Sequence, residues 1–107
     1  MREPSSASAQ SFTPPRACFI NHPIDPGERI AACSVIINSG RAVPRERAVA
    51  YDHRGLAHRR RGEYDQAVSD FQAALRVDAN LVAARHHLAE AYVFRAERHM
   101  SSPTIRG

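Results

Sequence analysis

The sequence predicts an all-α chain of about four antiparallel helices folded as hairpins, and three observations carry that reading. Between Ala48 and Leu81 lie two short amphipathic stretches, separated by Arg61-Gly62-Glu63, a glycine where one helix must end and another begin. Tyr51, Gly55 and His58 share one side of the first stretch, and Val68, Phe71, Ala74 and Leu75 give the second an apolar stripe at helical spacing. The flanking segments carry helix punctuation of their own: Asp25-Pro26 and Gly40 around one, Asn80 and Pro103 around another.

Taken in order, residues 1–17 are rich in Ser, Pro and Ala with only Phe12 to bury, and read as a disordered N-terminal segment. Ala7-Ser8-Ala9 has the small-residue pattern of a signal-peptidase site, but no apolar stretch precedes it. Either it is the end of a leader whose start lies upstream, or it is a chance string. Asp25 suits the N-cap of the first helix, Pro26 its first position, and Glu28 the return arm of a capping box. Ile30, Cys33, Ile36 and Ile37 form its buried stripe and Gly40 ends it. Pro44 opens the next helix, which runs to about Arg60. The following one spans about Tyr64 to Val77. Asp78-Ala79-Asn80 turns the chain, and Asn80 caps a last helix from Leu81 to about His99. Residues 100–107 read as a frayed tail.

At 107 residues the chain is one domain, and a 43% hydrophobic, 24% charged composition is that of a soluble globular protein. No apolar stretch approaches the length of a membrane span. The net charge is +4 with arginine as the only Lys/Arg-type cation, and the acidic residues are interspersed along the helices. That is a mixed solvated surface rather than a nucleic-acid stripe. Arg59-Arg60-Arg61 ends a helix, where cations complement the dipole, and has no interleaved aromatic to stack bases.

The hairpin resembles one tetratricopeptide repeat. That family's pattern is an aromatic, Leu-Gly, Tyr, then Ala-x3-Phe and Pro within a 34-residue unit. Tyr51 fills the aromatic slot, Gly55 the glycine, and Ala67 and Phe71 the Ala-x3-Phe pair, with Ala74 a small residue one turn on. Arg54, His58 and Ala79 depart from Leu, Tyr and Pro. A shift of one repeat length carries Arg54, Gly55 and His58 onto Leu88, Ala89 and Tyr92, which restores the pattern. The resemblance implies a short solenoid: a clear repeat over 48–81, partial repeats over 25–40 and 82–99, and a domain spanning 18–99. Residues 25–40 align with the hairpin's second helix, Ile30 with Val68, Cys33 with Phe71, Ile36 with Ala74 and Ile37 with Leu75. The longer offset points to a four-residue insertion around Ser39 to Pro44. Tyr51, Gly55, Ala67, Phe71, Ala74, Leu88, Ala89 and Tyr92 are then the repeat-packing residues.

Cys18 and Cys33 are the only cysteines. Cys33 alone reads as a small buried hydrophobe. The chain is also similar to a group of small bacterial tetratricopeptide proteins, often exported, with a leading cysteine and a helix bearing an Ala-Ala-Cys turn. That similarity implies a Cys18–Cys33 disulfide. Such a bond, with a leader upstream, implies a periplasmic or secreted protein; without them the chain is cytoplasmic.

Chemistry is sparse. His86-His87 diverge by about 100° on a helix, His86 and Glu90 make only an i, i+4 pair, and no cluster has the three or four converging ligands of a zinc site. There is no phosphate loop and no catalytic triad pattern, so the expectation is no enzyme, no cofactor and no metal. What the resemblance implies is a protein-interaction module whose concave face is made by the first helix of each hairpin: Val49, Asp52, Leu56 and Arg59, then Ala83, His86, Glu90 and Val93. The plainer alternative for these residues is solvated surface. The rival function is a basic, Arg-rich domain touching nucleic acid or an acidic surface, and a truncated gene product is a third reading. Solenoids need about three stacked units, and no helix follows to cover the outer side of the last one, so either the disulfide and N-terminal segment stabilise a four-helix miniature, or chains pair through the open end, or a partner protein completes the stack.

Overall fold

The computed structural model describes residues 14–100, and over them five helices follow one another. They are α1 (Arg16–Phe19), α2 (Pro26–Ser39), α3 (Pro44–Arg60), α4 (Tyr64–Val77) and α5 (Val82–Met100), with no strand among the described residues. Residues 1–13 and 101–107, and with them most of the segment expected to be disordered and most of the tail, lie outside the described residues.

The punctuation read from the sequence places most boundaries. The Asp25 carboxylate accepts from the Glu28 amide at 3.1 Å, and Pro26 follows at the first helical position, so α2 begins where its free N–H groups are covered. Gly40 ends α2 in the left-handed region at φ 70°. Gly62 does the same after α3 at φ 78°. There the Glu63 amide donates to the His58 carbonyl and the Gly62 amide to the Arg59 carbonyl, both at 2.9 Å, which is a Schellman closure. The last boundary differs from expectation. α5 starts at Val82, so Leu81 and not Asn80 holds the position before it, and the turn is fastened by Asp78, whose carboxylate accepts from the Asn80 amide at 3.0 Å.

Packing is antiparallel and sequential, α2 on α3, α3 on α4 and α4 on α5, with α3 also reaching α5. One cluster joins Cys18, Ala32, Cys33, Ile36, Ala42 and Ala50; the second joins Ala67, Val68, Phe71 and Ala91, with Leu56 and Leu88 against it. Small residues dominate both, and that brings the backbones close. A methyl placed on Gly55 would stand 2.6 Å from Cε1 and 2.8 Å from Cδ1 of the fully buried Phe71 ring. Glycine is required there by the neighbour rather than by backbone torsion.

Residues 16 and 17, expected within the disordered segment, instead begin α1. This turn packs on both α2 and α3. It is short, and from Ile20 to Asp25 the chain is an irregular strap.

Candidate functional site

The strap is fastened at several points. Cys18 and Cys33 form a disulfide, both wholly buried, with their Cα atoms 4.7 Å apart. His53 Nδ1–H donates to the Cys18 carbonyl at 2.8 Å. The Arg29 guanidinium donates to the carbonyls of Ala17, Cys18 and His22, and Arg60 to that of Ile24 at 3.2 Å. α1 and the strap thus lie against α2 and α3. Between the strap and α3 opens a cleft of about 420 Å³, with Ile20, His22 and Pro23 on one side and His53, Leu56 and Arg60 on the other. Of these features the sequence pointed to the cysteines; Arg29, His53 and Arg60 as anchors were not foreseen, because their acceptors are backbone carbonyls that leave no trace in residue identity.

The departures from the repeat pattern form polar crosslinks. Arg54, standing where the pattern has leucine, grips Asp70 through Nε and Nη2, both at 2.8 Å, and reaches Ser34 Oγ at 2.9 Å, so it ties α2, α3 and α4 together. That bidentate bond to Asp70, above all, raises the Arg54 pKa further; burial works against it. His58, standing where the pattern has tyrosine, donates through Nδ1 to Glu63 at 2.7 Å. This bond is the main reason the Glu63 carboxyl is held below the usual range.

The expected concave face is partly assembled. Arg59 on α3 and Glu90 on α5 meet at 2.8 Å, which lowers the Glu90 pKa, and His86 Nε2 lies 3.2 Å from the same carboxylate. Arg59 also lies over the Phe94 ring. Ala83, His86 and Val93 are exposed, and Val49 is half-buried. Two members are not available as expected. Asp52 is 4% exposed and accepts from His87 Nδ1 at 2.8 Å, which crosslinks α3 to α5. Leu56 packs on the Phe71 cluster while also lining the strap cleft.

The packing set also divides. Gly55, Ala67, Phe71 and Ala74 are buried; Tyr51 and Leu88 are half-buried. Ala89 and Tyr92 are exposed, contrary to the repeat register. α5 meets α4 through Ala84, Leu88 and Ala91, and the face opposite has no helix over it among the described residues. The Tyr92 hydroxyl accepts from Gln72 at 2.9 Å, and the Arg95 guanidinium lies over its ring. The uncovered side of α5 therefore shows Val82, Val93, Phe94 and Met100 to solvent.

The Arg59-Arg60-Arg61 run is split three ways, to Glu90, to the Ile24 carbonyl and to Glu63. Among the described residues no three His, Cys, Asp or Glu side chains gather as metal ligands. Nor is any described helix long and apolar enough to cross a membrane.

Comparison with curated proteins gives no match, and comparison with solved structures gives none. A family model described as TPR repeat matches residues 55–93, which take in the end of α3, all of α4 and more than half of α5. Such repeats are in general non-enzymatic scaffolds for protein–protein interaction. The matched span holds Gly55 and Phe71, where α3 and α4 come closest, and runs on into the helix after them. Over that span the chain is similar to the tetratricopeptide-repeat family.

Proposed function

We propose that the chain is a non-enzymatic docking module that binds a partner protein through the face shared by α3 and α5. The observation that carries this reading is the exposed apolar pair Val93 and Phe94 on α5, which share one face with His86, Ala89 and the Arg59–Glu90 pair. Grouped apolar exposure rimmed by charge marks interaction surfaces. The pairing of Arg59 and Arg61 with carboxylates speaks against a phosphate-binding stripe. The wholly buried disulfide supports an oxidising compartment, periplasmic or extracellular, as the working environment.

The test begins with cross-linking of the tagged, oxidised chain in cells, followed by reconstitution of each captured protein from purified components. Val93→Asp should abolish the reconstituted complex and leave the thermal melt of the free chain unchanged, since Val93 is 54% exposed. Retained binding by Val93→Asp and Phe94→Asp alike would remove α5 from the interface. Light scattering decides whether the partner is a second copy, because Tyr92→Asp or Phe94→Asp would then yield a monomer from a dimer.

A further inference from the structure

We propose that the cleft between the disulfide-held strap and α3 is a second binding site, and that it takes an acidic segment of an extended peptide with an aliphatic residue beside its carboxylate. This rests on the docking reading above and adds a site that reading does not contain.

Charge is the first argument. Arg45, Arg54, Arg59, Arg61 and Arg95 each meet a carboxylate. Arg29 and Arg60, which both line the cleft, meet only backbone carbonyls among the described residues. A carbonyl accepts a hydrogen bond but does not neutralise the cation. Arg60 has five N–H donors and spends one on Ile24, so four remain for a ligand. His22 and His53 also line the cleft, and no acidic side chain does. The walls are therefore cationic without internal compensation, in a concave place where charge acts more strongly than on a flat surface.

Shape and chemistry of the floor supply the second argument. Ile20, Pro23, Leu56 and Ala57 make an apolar base, and the volume of about 420 Å³ is that of a typical ligand pocket. No Phe, Tyr or Trp lines it, so it lacks the usual platforms for stacked bases, whereas an aliphatic side chain fits its floor. Leu56 and Arg60 lie one turn apart on α3, a spacing matched by residues i and i+2, which share one face of an extended peptide. The disulfide makes the site conditional. Ile20 to Pro23 form one wall and are joined to α2 through Cys18, so opening the bond unfastens that wall.

The experiment is an amide-shift titration of the full, oxidised, isotope-labelled chain with a capped peptide carrying one isoleucine with an aspartate two positions to either side of it in a serine background. Its asparagine counterpart and an oligothymidylate serve as competing probes. The expected result is shifts at His22, His53, Leu56 and Arg60, with the asparagine peptide weaker by about tenfold, the loss of one charge-assisted contact. Arg60→Gln should weaken the acidic peptide similarly while Arg85→Gln does not, and reductant should abolish the shifts. Because Arg60 also anchors the strap, His22→Ala serves as a second variant and should weaken binding with the Ile24 contact intact. Equal binding of the asparagine peptide, or no shifts at millimolar peptide, overturns the proposal. Shifts confined to α5 overturn it while leaving the docking reading in place. Tighter, steeply salt-dependent binding of the oligothymidylate overturns it in favour of nucleic acid.

Discussion

Replacing Gly55 by alanine tests whether close helix approach, rather than helix propensity, fixes the residue at the centre of the repeat. Propensity alone favours the change: alanine in a helix interior is better than glycine by about 1 kcal/mol. Packing opposes it. The new methyl would meet three atoms of the Phe71 ring at 2.6, 2.8 and 3.0 Å. That ring is wholly buried in the cluster formed with Ala67, Val68 and Ala91, so it cannot swing clear without displacing them. Overpacking of this kind costs about 1–3 kcal/mol, and three simultaneous overlaps on a boxed ring put this case near the top of that range. The net expectation is a loss of about 2 kcal/mol, or a fall in melting temperature of about 8–16 °C for a domain of this size. Urea unfolding followed by circular dichroism measures it. Phe71→Leu supplies the control: with the ring gone, Gly55→Ala should become neutral or stabilising, a coupling of about 2–3 kcal/mol between the two sites. A Gly55→Ala protein that melts higher than the parent would refute the close-approach argument, since propensity would then have prevailed.

Intact mass of the unreduced chain should show no free thiols and a gain of about two mass units on reduction. The Cys18→Ser/Cys33→Ser variant should lose on the order of 3 kcal/mol, the loop-closure contribution for a bridge across 15 positions. Asp70→Asn should cost about 3 kcal/mol by stranding Arg54 between three helices, and Arg54→Met combined with Asp70→Leu should recover most of it. Acid should also weaken the fold. The Glu63 and Glu90 carboxyls lie below their ordinary value of 4.5, so their contribution is present above that value and lost as pH falls through the lower folded values. Urea midpoints recorded from about pH 6 to about pH 3 should show this decline, and Glu63→Gln with Glu90→Gln should flatten it.

Boundaries were legible wherever one residue type does one thing to a backbone. Gly40 and Gly62 stop helices in the left-handed region, and Pro26 and Pro44 start them. The helix stripes around Cys33, Ile36, Ala67 and Phe71 were legible because burial on one side of a helix has a fixed period. What escaped was pairing across helices. Asp70 meets Arg54 and Asp52 meets His87, and neither pairing has a periodicity to announce it. A visible clue existed, since an aspartate interrupts the apolar stripe directly before Phe71. Carrying the repeat register onto Ala89 and Tyr92 failed for a different reason. The register assumes that another helix packs on α5, and among the described residues none does.

The strap bears on how the described helices are held at their N-terminal side. Stacked helices bury a continuous core only when each has neighbours on both sides, and among the described residues α1 and the strap are what α2 has besides α3. Those residues offer little regular structure: one helical turn, then an irregular path to Asp25. A single turn is too short to be stable by its own hydrogen bonds, so its position must come from elsewhere. It comes from a covalent bond to α2 and from donors on α2 and α3, Arg29, His53 and Arg60, aimed at carbonyls that a helix would have satisfied internally. The same substitution explains the cleft. A full helix would seat side chains against His53, Leu56 and Arg60 along its length, whereas a strap fastened at intervals leaves space between the fastenings. The hold at this end and the cleft beside it both follow from fastening an irregular segment at intervals, and the proposed peptide site depends on that arrangement.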